Sequence, residues 1–250
     1  MISAGEIYAL INDVAPFETA MGFDNVGILI GSAEKRTDKV LLALDASAQV
    51  IREAERTGAG IIVTHHPVIF DPLRSLDDNS IPYLAARAGV TVISAHTNLD
   101  TARGGVNDML AQLIGVEPEE YIDNECALLG RLEEKPDCRE FAERIKSRLE
   151  LCGLRYSDSG KRVSRVLVAC GAGGGNIELA RSLKADALVT GEIKHNFIVY
   201  ANSYNIAVFD LGHFGSEKHI IPILCGLLEK SFPDTEFIRA QADTDGMRYL

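Results

Sequence analysis

No stretch of this chain reaches the roughly 18 consecutive apolar residues that a membrane-spanning helix needs. Basic residues are in the minority: 25 Lys and Arg stand against 36 Asp and Glu, a formal net charge of −11. The first shortage excludes a spanning helix. The second argues against sequence-independent nucleic-acid binding, because an acidic surface repels phosphate backbones and no dense basic patch interrupts it. The opening residues contain Glu6 and Asp13 and lack both a basic stretch and a cleavage site, which argues against a signal peptide. The cysteines, Cys126, Cys138, Cys152, Cys170 and Cys225, form no CxxC pair. An odd number without an export signal reads as reduced thiols in a cytoplasmic protein. The glycine run Gly171 to Gly175 matches neither GxGxxG, since Asn176 takes the last glycine's place, nor a P-loop, since no GK[ST] follows. It reads as a tight turn or close backbone packing, with an anion contact as the sharper alternative.

What is present is an ordinary globular mixture, 46% hydrophobic and 24% charged over 250 residues. That length suits one large domain or two of ordinary size. Ile7, Leu10, Ile11 and Val14 recur at helical spacing within residues 3–14. Val40 to Leu44, Ile61 to Val63 and Val90 to Ile93 read as short strands, with helices at 46–57, 81–88 and 106–113 around them. Strands apolar on both faces and alternating with helices predict a parallel sheet covered on both sides. Residues 116–162 break the pattern: they are charged, carry Pro118 and Pro136, and offer one clear helix at 138–150. From residue 163 the alternation returns, with strands at 163–169, 187–189 and 206–209 and helices at 176–183, 193–201 and 216–228. Pro222 should kink or restart the last of these, and 235–238 reads as a further strand. VLLALDASAQVIREAERTGAGIIVTHHPVIF and RVLVACGAGGGNIELARSLKADALVTGEIKHNFI share this order, so the α/β architecture contains pseudo-repeated βαβ units.

Loops at the carboxyl ends of parallel strands are where α/β proteins place their sites, and the chemically rich segments lie there. His65-His66-Pro67 leaves one strand, with adjacent side chains diverging enough to serve two metals. His96 and Asp100 leave the next, and Asp100 or Thr101 could instead cap a helix. His213 and Glu217 follow the last strand of the second half, four residues apart, so a helix start would project both to one side. His195 lies after the strand ending at Val189. Each cluster alone also reads as polar surface; together they point to metal ligation by imidazole and carboxylate.

These residues, in this order, resemble the Nif three-like family, whose members carry the name GTP cyclohydrolase 1 type 2 homologue. The signposts are Asp24-Asn25-Val26-Gly27, THHPVIF at 64–70, HTNLDTARGGVND at 96–108, TGEIKH at 190–195 and GHFGSE at 212–217. The chain departs from the family in having Phe23 where Trp is usual, and in lacking the large insertion of many relatives. The resemblance implies two intertwined α/β parts, placed here at 1–115 with 206–250 and at 116–205. It implies a ring-shaped homohexamer and a dinuclear metal centre. His65 and His66 would go to separate metals, Asp100 and His213 would add one ligand each, and Glu217 would bridge. His96 would stand beside the metals, with His96 and Glu192 available to move protons. Two divalent ions (Zn, Fe, Mn, Co or Ni) would support hydrolysis of a nucleotide-like or other small substrate. A metal-handling scaffold without turnover is the alternative, because a fold does not fix a reaction.

Overall fold

Short β-branched runs, too apolar to lie on a surface, set the plan of this molecule. The computed structural model describes all residues, 1–250. The chain opens with strand β1 (Ile2–Ser3) and helix α1 (Ala4–Val14). Ser3 starts the helix with a capping box: Glu6 N donates to its hydroxyl at 3.2 Å, and Ser3 N donates to the Glu6 carboxylate at 2.9 Å. Strands β2 (Gly27–Ile30), β3 (Arg36–Thr37) and β4 (Lys39–Ala43) follow, then α2 (Ala48–Thr57), β5 (Ile61–Thr64), α3 (Ile81–Arg87), β6 (Thr91–Ser94) and α4 (Thr97–Thr101). Next come α5 (Val106–Ile114), β7 (Glu117–Ile122), β8 (Ala127–Arg131), α6 (Cys138–Arg148) and β9 (Arg155–Ser157). The remainder is β10 (Arg165–Ala169), α7 (Ile177–Ser182), β11 (Ala187–Thr190), α8 (His195–Ser203), β12 (Ala207–Asp210), α9 (His213–Glu217), α10 (Ile220–Ser231) and β13 (Glu236–Arg239). The architecture is α/β, and no helix is long and apolar enough to cross a membrane.

The chain forms two compact units, Met1–Ala102 with Ile220–Thr244, and Arg103–His219 with Asp245–Leu250. The first holds a five-stranded sheet in the order β13-β4-β5-β6-β2, parallel except for its edge strand β2. Every residue of β5 and β6 is buried, as strands covered on both faces must be. Leu41, Ala43, Ile62 and Val92 pack against Val50, Ile51 and Ala54 of α2. That helix begins at a Ser47 cap and ends at Gly58, whose φ of 77° supplies the left-handed turn. The segment after β13 is strapped across the end of β4. The buried Glu53 carboxylate accepts from Gln241 N at 3.1 Å and Ala242 N at 2.8 Å, and Asp243 accepts from Leu44 N at 2.6 Å.

The second unit holds a six-stranded sheet, β7-β8-β10-β11-β12-β9, with β10, β11 and β12 parallel. Leu167, Leu188 and Val208 form its core with Ile177, Ala180 and Ala201. Residues 116–162 contain β7, β8 and β9 besides the expected helix. β7 reads Glu-Pro-Glu-Glu-Tyr-Ile and is a sheet edge, where proline and charge are tolerated. The helix expected at 216–228 is two helices: Pro222 stands in the first turn of α10, where its missing N–H is no loss. Because β12 pairs with β11, residues 207–210 belong to the second unit, and the return to the first comes at Ile220.

Candidate metal centre

Three imidazoles of the first unit come together at the carboxyl ends of β5 and β6. The ring centroids of His65 and His66 lie 5.0 Å apart, His65 and His96 5.2 Å, and His66 and His96 5.6 Å. One ligand nitrogen from each lies within 4.8 Å of the others. The backbone imposes this. Thr64 and Ser94 are paired across β5 and β6, their hydroxyls 2.8 Å apart, so the residues just beyond them leave the sheet together.

In every one of these rings Nδ1 is fastened to an acceptor. His65 Nδ1 donates to Ala95 O at 2.9 Å, His66 Nδ1 to Asp45 Oδ1 at 3.0 Å, and His96 Nδ1 to Asp24 Oδ1 at 2.9 Å. A carbonyl or an ionised carboxylate can only accept, so each ring carries a proton on Nδ1, and Nε2 is the atom left to face a ligand. Ligating histidines are characteristically held this way. Asp100, buried inside α4, brings Oδ1 to 3.4 Å from His65 Nε2. It caps neither α4, whose N-cap is His96, nor α5, whose N-cap is Gly105.

Asp24 is the most constrained group here, its side chain fully buried. It accepts from His96 Nδ1, from Thr97 N at 3.0 Å and from the Thr97 hydroxyl at 2.5 Å. Burial pushes its carboxyl up, but the bonds from His96 and Thr97 outweigh burial and hold it down to about 2. His66 also borders a cavity of about 540 Å³ lined by Asp45, Ser47, Gln49, Val68 and Asp243 among others.

The second unit gathers His213, Glu217 and Glu192. His213 and Glu217 begin and end α9, one turn apart, with His213 Nε2 3.3 Å from a Glu217 carboxylate oxygen. His213 Nδ1 is fastened to the Glu192 carboxylate, so this ring also presents Nε2. Gly171 faces the pair. A Cβ there would sit 2.4 Å from Glu217 Oε1 and 3.2 Å from His213 Nε2, and the residue's φ is 53°. Its N–H donates to the Ser216 hydroxyl at 3.1 Å, and its carbonyl accepts from Glu192 N at 2.9 Å. The glycine run therefore serves close packing: a Cβ on Gly173 would meet Ala169 at 2.5 Å, and one on Gly174 would meet Glu192 O at 2.3 Å.

The donor types suit a divalent metal of the first transition row: imidazole nitrogens oriented from behind with a carboxylate beside them, at His65 and Asp100 in the first unit and at His213 and Glu217 in the second. His195 is exposed at the start of α8 and joins no such group. His219 Nε2 is used by Leu149 O at 3.1 Å, and burial pushes that imidazole's pKa down. Sequence reasoning missed Asp45 and left Asp24 without a role. The only signal for Asp45 is its place two residues beyond a parallel strand.

Comparison with known proteins is consistent across the whole chain. The Duf34/NIF3 (NGG1p interacting factor 3) family model matches residues 2–246. A GTP cyclohydrolase 1 type 2 homolog of Clostridium perfringens is 31% identical over 98% of both chains. Reduced HcgD from Methanocaldococcus jannaschii superposes with a TM-score of 0.85 at 30% identity, covering 96% of this chain and 98% of that one. The Staphylococcus aureus hypothetical protein SA1388 superposes with a TM-score of 0.87 at 26% identity, covering 99% of both.

Proposed function

Because the chain belongs to the Duf34/NIF3 family, we propose that His65, His66, Asp100, His213 and Glu217 together hold two divalent metal ions, and that the protein is a metal-dependent hydrolase of a nucleotide-like small molecule. The observation that carries this reading is the uniform fastening of Nδ1, by Ala95, Asp45, Asp24 and Glu192, in all four imidazoles. Histidines with only a surface role have no need of one common tautomer. The relatives' name supplies the substrate class, and a cavity of about 540 Å³ beside His66 is of the size that small-molecule sites have.

Divalent ions bound there supply Lewis-acid chemistry, an activated water and neutralisation of developing negative charge. The chain's own groups do the rest. His96, next to the ligands and backed by the ionised Asp24, holds or moves a proton at Nε2. Glu192 orients His213, a positioning role in place of the proton transfer expected of it, and Asp45 does the same for His66. We place the protein in the cytoplasm, as a ring-shaped homohexamer; light scattering that returned the mass of one chain, 27.1 kDa, would remove the hexamer.

The test is metal content. Protein purified without chelator or a histidine tag should carry about two equivalents of Zn, Fe, Mn, Co or Ni, and Glu217→Ala should lose most of both while still folding. Absence of bound metal, with no uptake of any of the five, overturns the reading. Full occupancy with no hydrolysis of nucleotides or phosphoesters replaces it with a metal-handling scaffold.

A further inference from the structure

Two phenylalanines stand at the edge of the three-imidazole cluster with much of their rings in solvent. Phe23 is 64% exposed and Phe70 46%. Their ring centroids are 6.3 Å apart, and the Phe70 ring meets the His96 imidazole edge-on at 6.2 Å. Single exposed apolar residues are commonplace. An aromatic pair in contact with a functional imidazole is not, since water gains nothing from such surface.

The backbone under both rings is tied down. Met21 N donates to the Thr97 hydroxyl at 2.9 Å, and Asp24 N to Met21 O at 2.8 Å, closing the turn that carries Phe23. Asn25 Nδ2 donates to Ile69 O at 2.6 Å, binding that turn to the residue before Phe70. These bonds span 76 and 44 residues of sequence, so the rings are held together by design of the fold and not by chain proximity. Leu73 and Leu76, on the loop that follows, are also exposed. Aliphatic side chains like these suit a second copy of the chain; flat π faces beside His96 suit something flat.

We propose that Phe70, assisted by Phe23, is the stacking platform of the substrate site and takes a planar nitrogen heterocycle of the nucleobase class, placing the group attached to that ring toward His96. This deepens the metal-hydrolase reading and rests on it for the word substrate. The binding itself needs only the two rings. Aromatic faces stack on heterocycles of any sequence of donors and acceptors, which makes the platform a selector for planarity.

The probes are GMP and ribose 5-phosphate, which carry the same phosphorylated sugar with and without the base. Affinities would be measured by calorimetry on zinc-loaded protein, with metal content and sedimentation recorded for each sample. Wild type should bind GMP at least tenfold more tightly than ribose 5-phosphate, the range expected of one stacked base. Phe70→Ala should erase that difference while leaving ribose 5-phosphate affinity and metal content unchanged, and Phe70→Tyr should restore it. Equal binding of the two probes by wild type overturns the proposal. So does Phe70→Ala binding GMP as wild type does, or a change of assembly mass in Phe70→Ala with GMP affinity intact, which would assign the face to a second copy. Loss of metal in wild type would count against the hydrolase and leave the comparison of the two probes readable.

Discussion

The two units use one scaffold and load it differently. Ala43, Thr64 and Ser94 lie side by side across three parallel strands of the first, and Ala169, Thr190 and Asp210 across three of the second. Counting from these rows, His65 and His66 correspond to Gly191 and Glu192, Asp45 to Gly171, and Thr97 and Thr101 to His213 and Glu217. The first unit puts its histidines on the strand ends; the second puts His213 and Glu217 on the five-residue helix that follows the third strand. The orienting carboxylate moves with them. Asp45 stands two residues past β4 and holds a histidine leaving β5; Glu192 stands two residues past β11 and holds a histidine leaving β12. The same rule, a helper on the neighbouring strand, serves both arrangements.

The sharpest way to break this correspondence is at Gly171. Gly171→Ala places a Cβ on Glu217 at a backbone angle that disfavours side chains, and should lower stability by about 2–4 kcal/mol. That is a fall in Tm of roughly 5 °C or more, together with loss of metal. An unchanged melting curve would mean that the second unit does not need that space.

A smaller effect is expected at Asp24. Asp24→Asn keeps the shape but loses the charge that Thr97 and His96 address, and should cost about 1–3 kcal/mol near neutral pH. The sign follows from a depressed carboxyl. With a folded value of about 2, below the ordinary ~3.9 of an unfolded aspartate, its contribution is complete above about pH 4 and is lost as the pH falls toward 2. The acid limb of wild-type stability should therefore be steeper than that of Asp24→Asn in chemical denaturation at several pH values. Nitrogen NMR of metal-free protein should show His96 as the single Nδ1–H tautomer in wild type and a mixture in the variant.

The smallest effects should come from Asp45→Asn and Glu192→Gln, whose side chains are exposed. Each should weaken metal affinity about 10- to 100-fold, as loss of an orienting partner does, with Tm almost unmoved. Matching losses support the shared rule. A loss from one and none from the other would show that only one unit relies on its helper.

Much of this was legible in the sequence. The ligand-type residues announce themselves because they cluster after apolar runs, and their order carries the family resemblance. β4, β5, β6, β10, β11 and β12 were readable because buried parallel strands are apolar throughout. β7 and β9 were not, since edge strands can be as charged as loops. Asp24 and Asp45 acquire their roles through bonds that cross 72 and 21 residues of sequence, which no local pattern encodes.

One feature of the chain path also governs its synthesis. β4, buried in the first sheet, receives its outer neighbour β13 from residues 236–239, and the strap at Gln241 to Asp243 comes later still. On the ribosome all six strands of the second sheet are complete by Asp210, while the first sheet waits with one flank open. An exposed flank of a parallel sheet is a template for pairing with another chain. Nascent chains stalled short of residue 236 would thus carry a complete second sheet and an adhesive first one, and synthesis of residues 236–243 ends that hazard.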